Sequence, residues 1–189
     1  MKVTQFSRIA ISIPPGQMAA LERDLADTPR KIPLAIRAAL NRTADHARGR
    51  IRRGLRDEIN IAFKDTARFV TVQKASRAGD SAKVSITGSR LRLTELGARQ
   101  NSKGVTYRIR RGGGRKSIRS AFIMQTRKDI RDHVWKRKDG AGRYPIQPLL
   151  GPSMPQVVED SPAIQRIIET DLRDELQKNL NAQVLRFLR

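Results

Sequence analysis

Over residues 31–59 the apolar side chains Ile36, Leu40, Ala44, Ala47, Ile51 and Leu55 recur every three or four positions, while Arg37, Arg42, Arg48, Arg50, Arg52 and Arg53 occupy the faces between them. That period belongs to an amphipathic helix. At 1.5 Å per residue such a helix runs about 40 Å. A chain of 189 residues with 4% aromatics builds only a modest, aliphatic core, too small to cover a helix of that length from end to end. One narrow apolar stripe on a long basic helix therefore predicts packing between subunits, with those six apolar residues as the candidate subunit interface.

The rest of the chain predicts short elements around this helix. Residues 2–13 alternate as a strand that Pro14 and Pro15 end, and residues 16–26 carry Met18, Leu21 and Leu25 on one face of a short helix. Together they make residues 1–30 a strand and helix that can serve as an arm, ahead of a single domain over 31–189. Residues 60–75 fit strand and helix equally. Residues 83–87, 91–96 and 105–109 alternate as strands, and residues 121–125 and 132–136 predict a last antiparallel pair. Prolines and glycines make residues 145–155 irregular. Ser161 and Pro162 then open a closing helix as N-cap and first-turn residue, with a stripe of Ile164, Ile168, Leu172, Leu176, Leu180, Val184 and Leu188. The predicted class is α+β: a small antiparallel sheet with one long helix before it and another after it.

Lys and Arg outnumber Asp and Glu by 39 to 18, a formal charge of +21. A charge that large repels other copies and attracts polyanions, so an anionic partner is expected, either nucleic acid or an acidic protein. The densest basic segment is broken by Gly112, Gly113 and Gly114, and its Arg108, Arg110, Arg111, Arg115, Lys116 and Arg119 are the candidate contacts. Glycine frees the backbone there, which suits irregularly placed phosphates and reads no sequence. Tyr107 is the only aromatic nearby, so stacking on single-stranded bases is disfavoured. Double-stranded DNA and an acidic protein ring both remain open for the segment. Nothing points to catalysis: His46 and His133 lack metal-ligand spacing, no GK[ST] follows the glycines, and there is no cysteine. No enzyme, cofactor or metal is expected. No apolar run reaches the roughly 20 residues that a bilayer requires, and the N-terminus lacks a signal-peptide pattern, so no membrane is expected and the chain should stay in the host cytoplasm until it is assembled.

After the glycine-broken segment come Ala121, Phe122 and Ile123, then a strand with His133 and Trp135, then a Lys/Gly/Arg turn into Arg143, Tyr144, Pro145 and Ile146, a proline-rich exit and a helix. This order, with the upstream Ala38, Asn41, Arg42 and Ala44, resembles the minor tail protein Z family of lambda-like tailed phages. The resemblance implies a structural role in the virion: a tail completion or neck protein that forms a ring at the head-proximal end of the tail and takes part in head–tail joining and genome passage. It also implies six subunits, with tail terminator, tail tube or head-completion proteins and genomic double-stranded DNA as neighbours. A free non-specific nucleic-acid-binding protein is the alternative. Within the motif, Tyr144 is expected to be buried with its hydroxyl hydrogen-bonded, at the start of a strap that positions the closing helix.

Overall fold

The computed structural model describes residues 5–76, 81–126, 129–138 and 142–187. The chain is α+β. Strand β1 (Gln5–Ile11) leads to helix α1 (Pro15–Asp24), a 3-10 turn at Pro29–Lys31, the long helix α2 (Ile32–Glu58) and a single turn α3 (Phe63–Thr66). Strands β2 (Val70–Gln73), β3 (Ala82–Gly88), β4 (Arg99–Asn101), β5 (Gly104–Tyr107), β6 (Lys116–Arg119), β7 (Ala121–Thr126), β8 (Asp129–Arg137) and β9 (Ile146–Leu149) follow. Helices α4 (Met154–Glu159), α5 (Pro162–Arg166) and α6 (Leu172–Phe187) close the chain, with a π-helical turn at Ile167–Asp171 between the last two. The strands form three antiparallel sheets of three, ordered β1-β3-β2, β4-β5-β6 and β7-β8-β9.

Helix α2 is the spine of the core. Its buried side chains Ala35, Ile36, Ala39, Leu40, Thr43, Ala44, Ala47, Ile51 and Leu55 follow the helical period. The six stripe residues expected at a subunit interface are only 0–3% exposed. The expectation is corrected: this stripe is covered from within the chain, by α6 on one side and by β2 and β3 on the other. Small residues make the coverage possible. Four alanines keep the buried surface of α2 slim, and Gly54 leaves room for Ile164, whose Cγ1 would stand 3.0 Å from an added Cβ. Polar contacts pin α2 to the closing segment, with Asn179 Nδ2 of α6 donating to Thr43 Oγ1 at 3.0 Å and Arg50 pairing with Asp171 of the π-helical turn.

The first thirty residues join this core. β1 pairs with β3 from Gln5–Gly88 to Ile11–Ala82, and Leu21 and Leu25 are buried, so β1 and α1 belong to the body and do not extend from it as an arm. Residues 60–75 resolve into α3 and β2. Residues 91–96 alternate in sequence yet form turns, with the amides of Glu95, Leu96 and Gly97 donating to the carbonyls three residues back; Leu91, Leu93 and Leu96 are buried by turning, not by pleating. Ser161 caps α5, its Oγ accepting from Ile164 N at 3.3 Å while it donates to Glu58 Oε1 at 2.7 Å. Leu188, at the end of the closing stripe, lies outside the described residues.

Candidate functional surfaces

The glycine-broken segment is anchored to the end of α2. Where α2 stops, at Ile59 (φ −118°, ψ 154°), its last carbonyls lack intrahelical donors. Arg111 supplies them: its backbone N–H donates to Glu58 O at 3.1 Å, its Nε to Arg56 O at 2.8 Å and its Nη2 to Ile61 O at 3.5 Å. A guanidinium at this end also opposes the negative pole of the helix. Asn60 completes the junction, with its N–H donating to Ile109 O at 2.8 Å and its Nδ2 to Leu96 O at 3.2 Å. Arg108 is half-buried and donates to Arg111 O. Arg115 donates from one nitrogen to Gly97 O at 2.8 Å, Thr106 O at 3.0 Å and Thr106 Oγ1 at 3.1 Å.

Six predicted contact residues therefore divide into two groups. Arg111 and Arg115 hold the loop onto the body and Arg108 braces it from within, which corrects the expectation of a freely adapting loop. Arg110, Lys116 and Arg119 are exposed and make no side-chain hydrogen bond or ion pair among the described residues. Lys116 and Arg119 are strand residues of β6, not loop residues.

Beside them stand cations that composition alone did not single out: Arg99 on β4, Lys103 in the β4–β5 turn and Arg137 at the end of β8. Lys103 and Arg137 border an open cleft of about 320 Å³ between the β4–β5 hairpin and the third sheet, lined also by Gln100, Ser120 and Phe122. Gly104 is required at its floor: its φ is +143°, and a Cβ would stand 2.2 Å from Ile118 O. The signal for Arg99 and Lys103 is the absence of acid: residues 96–128 hold ten Lys or Arg and no Asp or Glu, whereas Arg137 lies beyond that run.

The third sheet presents a second surface. Its register sets Phe122 opposite Trp135 and Trp135 opposite Pro148, with Met124 opposite His133. The other face, Ala121, Ile123, Val134 and Leu149, packs on the core. Phe122 and Trp135 are half-buried, Met124 is 37% exposed, and none of the three belongs to the core cluster. Arg137 lies over the Phe122 ring at 5.4 Å. Tyr144 is 68% exposed, with Arg143 over its ring at 5.9 Å. Its expected burial is thus corrected, as is its expected place at the start of a strap. β9 begins only at Ile146, and Lys138 N–H donates to Pro145 O at 3.1 Å, so the ring sits on the connection ahead of the sheet. The peptide bond between Tyr144 and Pro145 is cis.

Among the described residues no cluster of three or more His, Cys, Asp or Glu could hold a metal. Nor is any helix among them long and apolar enough to cross a membrane. Glu95 has a perturbed pKa: burial pushes its carboxyl up, but hydrogen bonds from Arg92 and Arg68, each 2.7 Å from Oε1, and their charges hold it below its ordinary value. This ion triad braces the residue 91–97 turn and offers no reactive group.

The family model for prophage minor tail protein Z (GPZ) matches residues 18–189, so the chain belongs to that family, whose role is structural, in the phage tail. No curated protein and no solved structure matches the chain.

Proposed function

We propose that this member of the minor tail protein Z family is a tail completion protein: copies form a ring at the head-proximal end of the tail, join tail to head and keep the genome path continuous. The family match across residues 18–189 carries the proposal. Two surface properties support it. The third sheet keeps an aromatic face that the chain's own core leaves uncovered, with Phe122, Trp135, Met124 and Tyr144 on or beside it. A ring needs such a face, because each subunit must set one patch against a different patch on the next copy. The cationic surface of β4–β6 is then left for other neighbours. In this scheme the α2 stripe has no role between subunits, and the six-fold count follows from the symmetry of such tails.

Size-exclusion chromatography with light scattering tests the ring. Wild type should run as a closed oligomer, and Tyr144→Glu with Met124→Glu should run as a folded monomer, since both side chains are exposed and both substitutions place charge in the contact. A wild type that stays monomeric at assembly concentrations, or a double variant that still forms the oligomer, would overturn the proposed contact. Cryo-electron microscopy of particles carrying the wild-type protein should then show its density at the head–tail junction.

A further inference from the structure

Residues 96–128, a run of 33, hold ten cations and no Asp or Glu. The fold makes the middle of that run into the sheet β4-β5-β6, and its register sorts the side chains. Val105, Tyr107 and Ile118 pack inward. On the opposite face, Arg99, Thr106 and Ser117 form one cross-strand row, and Asn101 and Arg119 flank Gly104 in the next. Arg99, Asn101, Ser117 and Arg119 are exposed. Arg115 is held over this same face by Thr106, and its two other guanidinium nitrogens make no hydrogen bond among the described residues. Asn101 turns its Oδ1 to the Lys103 N–H at 3.0 Å, which leaves its amide N–H groups as donors.

We infer that this outward face of β4-β5-β6 binds the phosphodiester backbone of double-stranded nucleic acid. Guanidinium forks beside hydroxyl and amide donors match phosphate oxygens and read no base. The face carries no aromatic side chain, and Tyr107 is turned to the core, so there is no platform on which single-stranded bases could stack. It also lacks the apolar centre on which protein contacts depend; that feature belongs to the third sheet. Arg99 and Arg119 stand two strands and one row apart, about 12 Å between backbones, so they engage separate phosphates. Arg115, held at Thr106 beside Arg99, is already fixed, which lowers the ordering cost of binding. The inference deepens the genome-passage part of the proposed function and rests on it for its biological meaning, whereas its test uses the full-length protein alone.

The experiment is a salt titration of binding to a fluorescently labelled random-sequence DNA duplex, read by anisotropy, with light scattering on the same samples. Arg99→Ser with Arg119→Ser should lower the log K against log salt slope by about 1.8, nearly one for each phosphate lost. Arg37→Ser with Arg53→Ser removes the same charge from exposed positions on α2 and should barely change it. Two unrelated duplex sequences should give the same affinity, and the melting temperatures should match wild type. Equal slope losses in the two double variants would overturn the site in favour of bulk charge. An unchanged duplex slope with lost binding to poly-glutamate would overturn it in favour of an acidic protein. A monomeric wild type that shows the expected slope loss would uphold this face and sink the ring, and an intact ring with no slope loss would do the reverse.

Discussion

Replacing Arg111 with Ala should destabilise the fold, while replacing Arg110 with Ala should not, although the two residues are adjacent and each loses one positive charge. Arg111 donates through Nε to Arg56 O at 2.8 Å and, more weakly, through Nη2 to Ile61 O at 3.5 Å. A charge-assisted hydrogen bond contributes about 1.5–3 kcal/mol when buried. Arg111 is exposed and the freed carbonyls can rehydrate, so about 1–1.5 kcal/mol is the appropriate share here. Loss of a cation from a helix C-terminus adds about 0.3–1 kcal/mol. The total, about 2 kcal/mol, lowers the melting temperature of a chain this long by about 4–8 °C. Arg110 is exposed with no side-chain partner among the described residues, and its removal should stay within about 0.5 kcal/mol. Arg111→Lys keeps the charge but loses the fork and should fall between the two. Thermal melts followed by circular dichroism decide the matter. Coincident melts for Arg110→Ala and Arg111→Ala would show that the loop does not cap α2, and the division of the basic residues into anchors and free cations would collapse.

Ile51→Asp or Leu40→Asp should abolish the folded monomer itself, because each places a carboxylate in a site at most 1% exposed at a cost of several kcal/mol; a soluble, cooperatively melting variant that merely fails to oligomerise would contradict the packing of α2. Tyr144→Ala should leave the melt within about 0.5 kcal/mol of wild type, so a drop of several degrees would mean that the ring is buried after all. Glu95→Gln should cost about 1–2 kcal/mol at neutral pH, with the half-exposed Arg68 contributing the smaller part. Because the folded carboxyl titrates below its ordinary value of 4.5, its stabilisation is complete above that pH and fades as pH falls through the lowered value. The stability gap between wild type and Glu95→Gln should therefore narrow below pH 4.5 in acid titrations of the melt.

Helical periodicity made α2 legible because its apolar positions lie within one stretch, although its C-terminal partner, Arg111, does not. What covers a stripe is a different matter, and no local pattern holds it. Asn179 and Leu176 lie more than a hundred residues from the α2 positions they pack near, and the alanines of α2 look in sequence like a weak apolar face. The same gap explains the 91–96 turn: three leucines at alternating or near-alternating positions suit a strand, yet Glu95 draws Arg92 and Arg68 together and closes a turn that buries all three. Ser161 was readable as a cap because capping depends only on the next three residues. Tyr144 was misplaced because a motif shared with a family does not say whether its members share it for packing or for contact.

The basic segment poses the sharper problem, since a guanidinium makes the same bond to a backbone carbonyl as to a phosphate oxygen. In sequence Arg108, Arg110, Arg111, Arg115 and Arg119 are equivalent donors next to glycines. The fold separates them by what each can reach. Arg111 meets the unsatisfied end of α2, and Arg115 meets Gly97 and Thr106. Arg119 emerges from β6 on the face away from the core, with no acid anywhere on its sheet. Cations that are exposed, set in a regular strand and lacking a carboxylate partner are the ones left to an outside anion. By that criterion the outward face of β4-β5-β6, and not the glycine loop, is the surface we infer to bind an outside anion.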